Sequence, residues 1–244
     1  MAFDLSTFTT AKYRFTYTGE EGGSYIAEIH QEEPYDNGGS PTVIEAVGRE
    51  AIQITWKHDG ENEYAPMVFS EASVAFYDSA GAIAGDLIDA LSTVDDKYLF
   101  VVRSGSSIKW VGNIDPEGIT YNEEGQVPLT ISATDGLGRL ANRPYISATD
   151  GSAADAGSAS LIEVIADCLN DTGFGFDFYV SSSLYHKTSP VLASDDNPLE
   201  NTWVNKLAFV SKKDTGDQAL TSKLSVLKEI CAAWGLKCFQ AEGA

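Results

Sequence analysis

Between Lys97 and Gly112 the chain spells out a pair of strands. Tyr98, Phe100 and Val102 alternate with Leu99, Val101 and Arg103, and Ile108 and Trp110 alternate with Lys109 and Val111. That is the period of two which a β-strand imposes on its side chains. The connector Ser104-Gly105-Ser106 is short enough to close them as a hairpin. A further strand over 127–133 runs into the turn Thr134-Asp135-Gly136-Leu137-Gly138-Arg139-Leu140. No nucleophile stands beside a base in this run, so the pattern specifies a scaffold.

The rest of residues 1–145 follows the same grammar. Tyr13, Phe15 and Tyr17 alternate in a first strand, a Gly/Glu turn follows over 19–23, and 24–30 returns. A loop rich in Pro, Gly, Asn and acid occupies 32–40. Ile52, Ile54 and Trp56 share a face of the next strand, Asp59-Gly60 turns it, and 64–69 or 74–77 supplies its partner. Leu87, Ile88 and Leu91 recur at helical spacing within 85–93. Short strands at these intervals predict a sandwich or small barrel. Edge strands over 13–18 and 97–103 would be open to pairing or packing between subunits.

Residues 146–159 form a linker of small and polar residues with little to bury. The character changes over 160–244. Ser160-Leu161-Ile162-Glu163 is a capping box opening a helix on which Leu161, Ile165, Cys168 and Leu169 share a face, with Gly173 past its end. A strand over 174–180 follows. A second helix from about Ser222 spaces Leu224, Leu227, Cys231 and Trp234 by three and four, and Gly235 ends it before an extended stretch over 236–240. Residues 203–210 are a strand or an exposed insertion. The fold class is thus α+β, mainly β: β-rich to 145, then two helix-glycine-strand units that could open a second domain. The hexapeptide at 131–136 recurs at 146–151, but two copies fifteen residues apart define no repeat architecture.

The 244 residues carry 36 acids and 16 bases, a formal charge of −20. Residues 1–150 hold 24 acids and 9 bases (−15), and the remainder 12 and 7 (−5). Such a chain repels a phosphate backbone, and its strongest contiguous basic cluster, Lys212-Lys213, is followed by Asp214. The start lacks the basic and apolar run of a secretory signal, and no stretch approaches a membrane span, which predicts synthesis in the cytoplasm and no membrane span.

His30, His58 and His186 are too dispersed for a compact metal motif and are expected at the surface. Cys168 and Cys231 fall on apolar helix faces, and Cys231 and Cys238 lack zinc spacing, so the cysteines are expected to pack as small hydrophobes. The acid pairs at 32–33, 95–96, 123–124 and 195–196 do not by themselves supply carboxylates that face each other, because adjacent strand residues point to opposite faces. No enzyme motif, cofactor motif or metal motif is present, and the reading is non-enzymatic. Trp56, Trp110 and Trp234 fall on predicted core faces, whereas Trp203 is expected outside.

Taken in order, Trp110-Val111-Gly112-Asn113-Ile114, the strand and turn from Thr130 to Leu140, the helix over 160–170 and the helix over 222–234 resemble the hub proteins at the tip of bacteriophage tails. These are the baseplate hub and tail-associated tip proteins, and related hubs of contractile injection machines. The resemblance covers roughly residues 50–240 and rests on Trp110, Gly112, Asp135, Gly136, Leu137 and Leu140 as structural motif residues. It implies tail-hub β-barrel domains joined by helices, and a homotrimer whose ring joins the tail tube or a distal tail ring to tip, fibre or spike proteins. DNA would pass through that ring during ejection without specific binding, and the protein would reside in the virion. An acidic lumen would repel DNA. A hub would ordinarily continue past residue 244, so the chain is either a short version or part of a longer protein. The alternative is a carbohydrate- or receptor-binding β domain with Tyr185 and Trp203 on an exposed ridge. A hydrolase using an acid pair has no support beyond the abundance of acids.

Overall fold

The computed structural model describes residues 11–18, 23–31, 40–48, 50–59, 64–78, 85, 98–120, 128–145, 157–174, 178–179, 198–209, 211–212, 218–219 and 221–240. The chain divides into two compact units. One comprises Phe3–Glu61, Val68–Gly136 and Phe239–Ala244; the other comprises Met1–Ala2, Asn62–Met67 and Leu137–Cys238.

The first unit is an eight-stranded sheet in the order β3-β1-β2-β6-β7-β8-β5-β4. Its strands are β1 (Ala11–Thr18), β2 (Ser24–Gln31), β3 (Thr42–Glu45), β4 (Ile52–His58), β5 (Val68–Phe76), β6 (Tyr98–Ser104), β7 (Ser107–Thr120) and β8 (Leu129–Thr134). Only β1 and β3 pair in parallel. The residues between β3 and β4 close the sheet. The Ala46 N–H donates to Thr16 O on β1 at 3.0 Å, and the next residue, Val47, donates to Ala75 O on β5 at 2.8 Å. Ala46 also bridges Phe76. Successive residues of an extended chain point their amides to opposite sides. β3 and β4 therefore act as one interrupted strand, the first half bonded to β1 and the second to β5, and the sheet becomes a barrel. Phe15 and Phe76 meet inside it with ring centroids 4.7 Å apart.

Alternation explains the interior. Tyr13 and Phe15, Ala27 and Ile29, Ala72, Val74 and Phe76, Tyr98, Phe100 and Val102, Trp110 and Ile114, and Leu129, Ile131 and Ala133 all point inward in one core. Each large side chain so buried stabilises the barrel by about 1.5–3 kcal/mol. Two expectations require correction. β1 lies between β3 and β2, and β6 lies between β2 and β7, so neither is an edge; the strands with a ladder partner on one side only are β3 and β4. Trp56 keeps the inward parity of Ile52 and Ile54 but is 50% exposed, because β4 has a ladder partner on one side only and no second strand covers the ring. The two alternatives for the partner of β4 resolve into one strand, β5, that spans both. Of the helical turn over 85–93, only Gly85 lies among the described residues, and it is helical.

The second unit is built on helices. Ser160 caps α1 (Leu161–Leu169): its hydroxyl accepts from the Glu163 N–H at 3.4 Å, and the Glu163 carboxylate accepts from the Ser160 N–H at 2.8 Å. Leu161, Val164, Ile165 and Cys168 form the buried face. A single 3-10 turn separates α1 from Gly173, whose φ of 93° is left-handed and stops the helix. A short helix α2 (Pro198–Asn201) follows, then α3 (Lys223–Trp234), capped by Ser222 and ended by Gly235 at φ 63°. Lys223 is buried and fastens α3 to the end of α1. Its Nζ donates to Asp167 O at 2.8 Å and reaches the Asp171 carboxylate at 3.0 Å, where a cation also suits the helix C-terminus. β9 (Ser158–Ser160) pairs with β10 (Trp203–Asn205), so the end of the predicted linker is a strand. Of the strand expected over 174–180, residues 175–177 and 180 lie outside the described residues; Phe174 is buried, and Phe178 and Tyr179 lie in no strand and are exposed.

Candidate functional site

The motif residues of the barrel meet at a turn anchored from inside. Trp110 on β7 is fully buried, and its indole Nε1–H donates to Ser70 Oγ on β5 at 2.9 Å. The Ser70 hydroxyl in turn donates to Asp135 Oδ2 at 2.8 Å, and the Ser70 N–H donates to the same oxygen. Asp135 returns its own N–H to Ser70 O at 3.2 Å. Asp135 follows β8 with inward parity, and it and Ser70 are both at most 5% exposed. Chain segments up to 65 residues apart are thereby locked around one carboxylate. Gly112 sits under the Trp110 ring, where a Cβ would collide with that ring and with Thr134 O. Gly136 then turns the chain with φ 78°. Leu137 and Leu140, in the 3-10 turn Leu137–Asn142, are buried in the second unit. There the Tyr145 N–H donates to Thr221 O and the Lys223 N–H to Arg143 O, each at 2.8 Å. Within the first unit the lock fixes the end of β8.

A second constellation was missed by sequence reasoning. On the outer face of β1, β2 and β6, Glu28 is 4% exposed and accepts from both neighbouring arginines. Arg14 reaches Oε1 through Nε at 2.8 Å and Nη2 at 2.7 Å, and Arg103 reaches Oε2 through Nε at 2.9 Å. His30 Nε2 lies 3.2 Å from the same oxygen. Burial alone would raise the Glu28 pKa. The hydrogen bonds from His30, Arg14 and Arg103 outweigh it and hold the group at about 2. His30 is therefore corrected from a surface to a buried residue, while His58 is exposed as expected and His186 lies outside the described residues. The alternation contained a signal for half of this cluster: closing the first hairpin at Thr18 and Ser24 places Arg14 directly opposite Glu28.

Of the two aromatic candidates, Trp203 on β10 is 64% exposed, whereas Tyr185 lies outside the described residues. Trp234 is half-buried rather than core, being the last residue of α3, where the packed face of the helix gives out. The four acid pairs also lie outside the described residues. Cys168 and Cys231 are buried, and burial pushes their thiols up to about 12 and about 11. Among the described residues no three His, Cys, Asp or Glu side chains gather as a metal site, and no helix is long and apolar enough to cross a membrane. Compared with models of protein families, with curated proteins and with solved structures, the chain matches none.

Proposed function

We propose that the chain is a structural protein of a bacteriophage tail tip or baseplate hub. It assembles as a trimeric ring that joins the tail tube to the tip and passes DNA during ejection. The observation that carries this reading is the anchored turn: the residues on which the hub resemblance rests, Trp110, Gly112, Asp135 and Gly136, belong to one internal lock that ends the barrel. A closed barrel with a packed interior suits a structural part. The charge of −20 suits a channel through which DNA slides without sticking. Light scattering with electron images of the same sample tests it: three copies around an open centre support the ring, and a compact monomer counts against it.

A second reading, a carbohydrate- or receptor-binding domain, draws on the exposure of Trp203, since a flat ring at the surface stacks on sugars. Glycan binding that disappears in Trp203→Ala with folding intact would favour it over the hub.

A further inference from the structure

We propose that the partly exposed guanidiniums of Arg14 and Arg103, on the outward side of β1, β2 and β6, form a carboxylate-docking site, and that its occupant is an acidic segment of a second copy of this chain. The proposal rests on the self-association reading above and names the surface through which copies meet.

On these three strands Arg14 and Arg103 stand against a single acid, Glu28, in a chain where acids outnumber bases 36 to 16. This cationic face is invisible in the sequence because its members are contributed by separate strands. Glu28 gives the face its geometry. It lies directly opposite Arg14, and Arg103 lies one diagonal step away, opposite Ile26. The buried carboxylate engages Arg14 through two nitrogens but Arg103 through Nε alone. Among the described residues the two terminal nitrogens of Arg103 therefore have no partner. A guanidinium offers five N–H donors in a fixed fork that matches a carboxylate. The side chains of Arg14 and Arg103 are 40% and 29% exposed, so both are oriented from below by Glu28 and reachable from above. Since Glu28 stays ionised down to about pH 2, this orientation persists at every physiological pH. Two guanidiniums share one negative charge, which leaves a net positive centre that attracts a further carboxylate. Another copy of the chain presents a large surplus of that group, and a locally cationic patch lowers the repulsion between two such acidic molecules.

The test measures the assembly state of wild type, Arg103→Gln and Arg14→Gln by light scattering across a concentration series, with thermal unfolding to confirm that each variant folds. The expected result is an assembling wild type whose dissociation constant rises about tenfold in Arg103→Gln. Added hexaglutamate should disperse the wild-type assembly while hexalysine and inorganic phosphate do not. That competition uses the wild type alone, so it decides the matter even if both variants fail to fold. Assembly that is unchanged in folded Arg103→Gln, or indifferent to hexaglutamate, overturns the docking site while leaving the ring reading intact. Dispersal by phosphate as well overturns the choice of a protein carboxylate as occupant. A two-copy assembly broken by Arg103→Gln supports the docking site and removes the trimeric ring. A wild type that stays monomeric overturns both.

Discussion

Replacing Glu28 by Gln tests whether the ion cluster on the barrel's outer face contributes to stability or is merely tolerated. The folded pKa of Glu28 is about 2 against an ordinary 4.5. Each pH unit of separation is worth about 1.4 kcal/mol, so the interval corresponds to about 3 kcal/mol of folding free energy at neutral pH. The sign follows from the depressed value. The contribution is fully present above 4.5, where the carboxylate is ionised in both states, and it is lost as pH falls through that interval to about 2. Glu28→Gln keeps the shape but leaves Arg14 and Arg103 against a neutral amide, and breaking such a buried pair costs about 3 kcal/mol. Urea unfolding followed by tryptophan fluorescence at pH 7 should show that loss. Repeated at lower pH, the difference between wild type and variant should shrink steadily and nearly vanish by about pH 2. A variant within about 0.5 kcal/mol of wild type at pH 7, or a difference independent of pH, would refute the reasoning.

Gly112→Ala should destabilise the barrel by more than about 2 kcal/mol or prevent folding, because the new methyl meets Thr134 O, which is backbone, as well as the Trp110 ring. Circular dichroism melts give the answer, and a neutral substitution would mean that the ring does not lie where described. Ser160→Ala removes the N-cap of α1 and should cost about 1 kcal/mol in denaturant unfolding, whereas Ser160→Asp should restore most of it. Ellman's reagent should modify Cys238 rapidly in the native protein, while buried Cys168 and Cys231, with thiols held at about 12 and about 11, react only on unfolding. Three thiols of equal reactivity would contradict the packing around α1 and α3.

Local chemistry was legible in the sequence and topology was not. The capping box at Ser160 and Glu163, and the glycine that ends α3 at Gly235, act within a few residues of themselves, so the chain spells them directly. The inward parity of Phe15, Phe100, Trp110 and Ile131 was equally readable, since alternation is a property of the strand alone. What alternation cannot say is which strand lies beside which. β1 and β6 looked like free edges because nothing local announces that β3 and β2 will cover their flanks. Trp56 had the right parity but lies on β4, which has a ladder partner on one side only. The anchor of Asp135 needed Ser70, an ordinary serine 65 residues away, and the Glu28 cluster needed Arg103, 75 residues away. In both cases the deciding partner carries no signal until the barrel closes.

The central claim is that this acidic barrel protein is a part that assembles, and the mass and outline of the native particle test it most directly. Light scattering at several concentrations, paired with electron images, should give the mass of three chains and a ring with an open centre. A compact particle of one chain's mass, 26.2 kDa, at every concentration would contradict it.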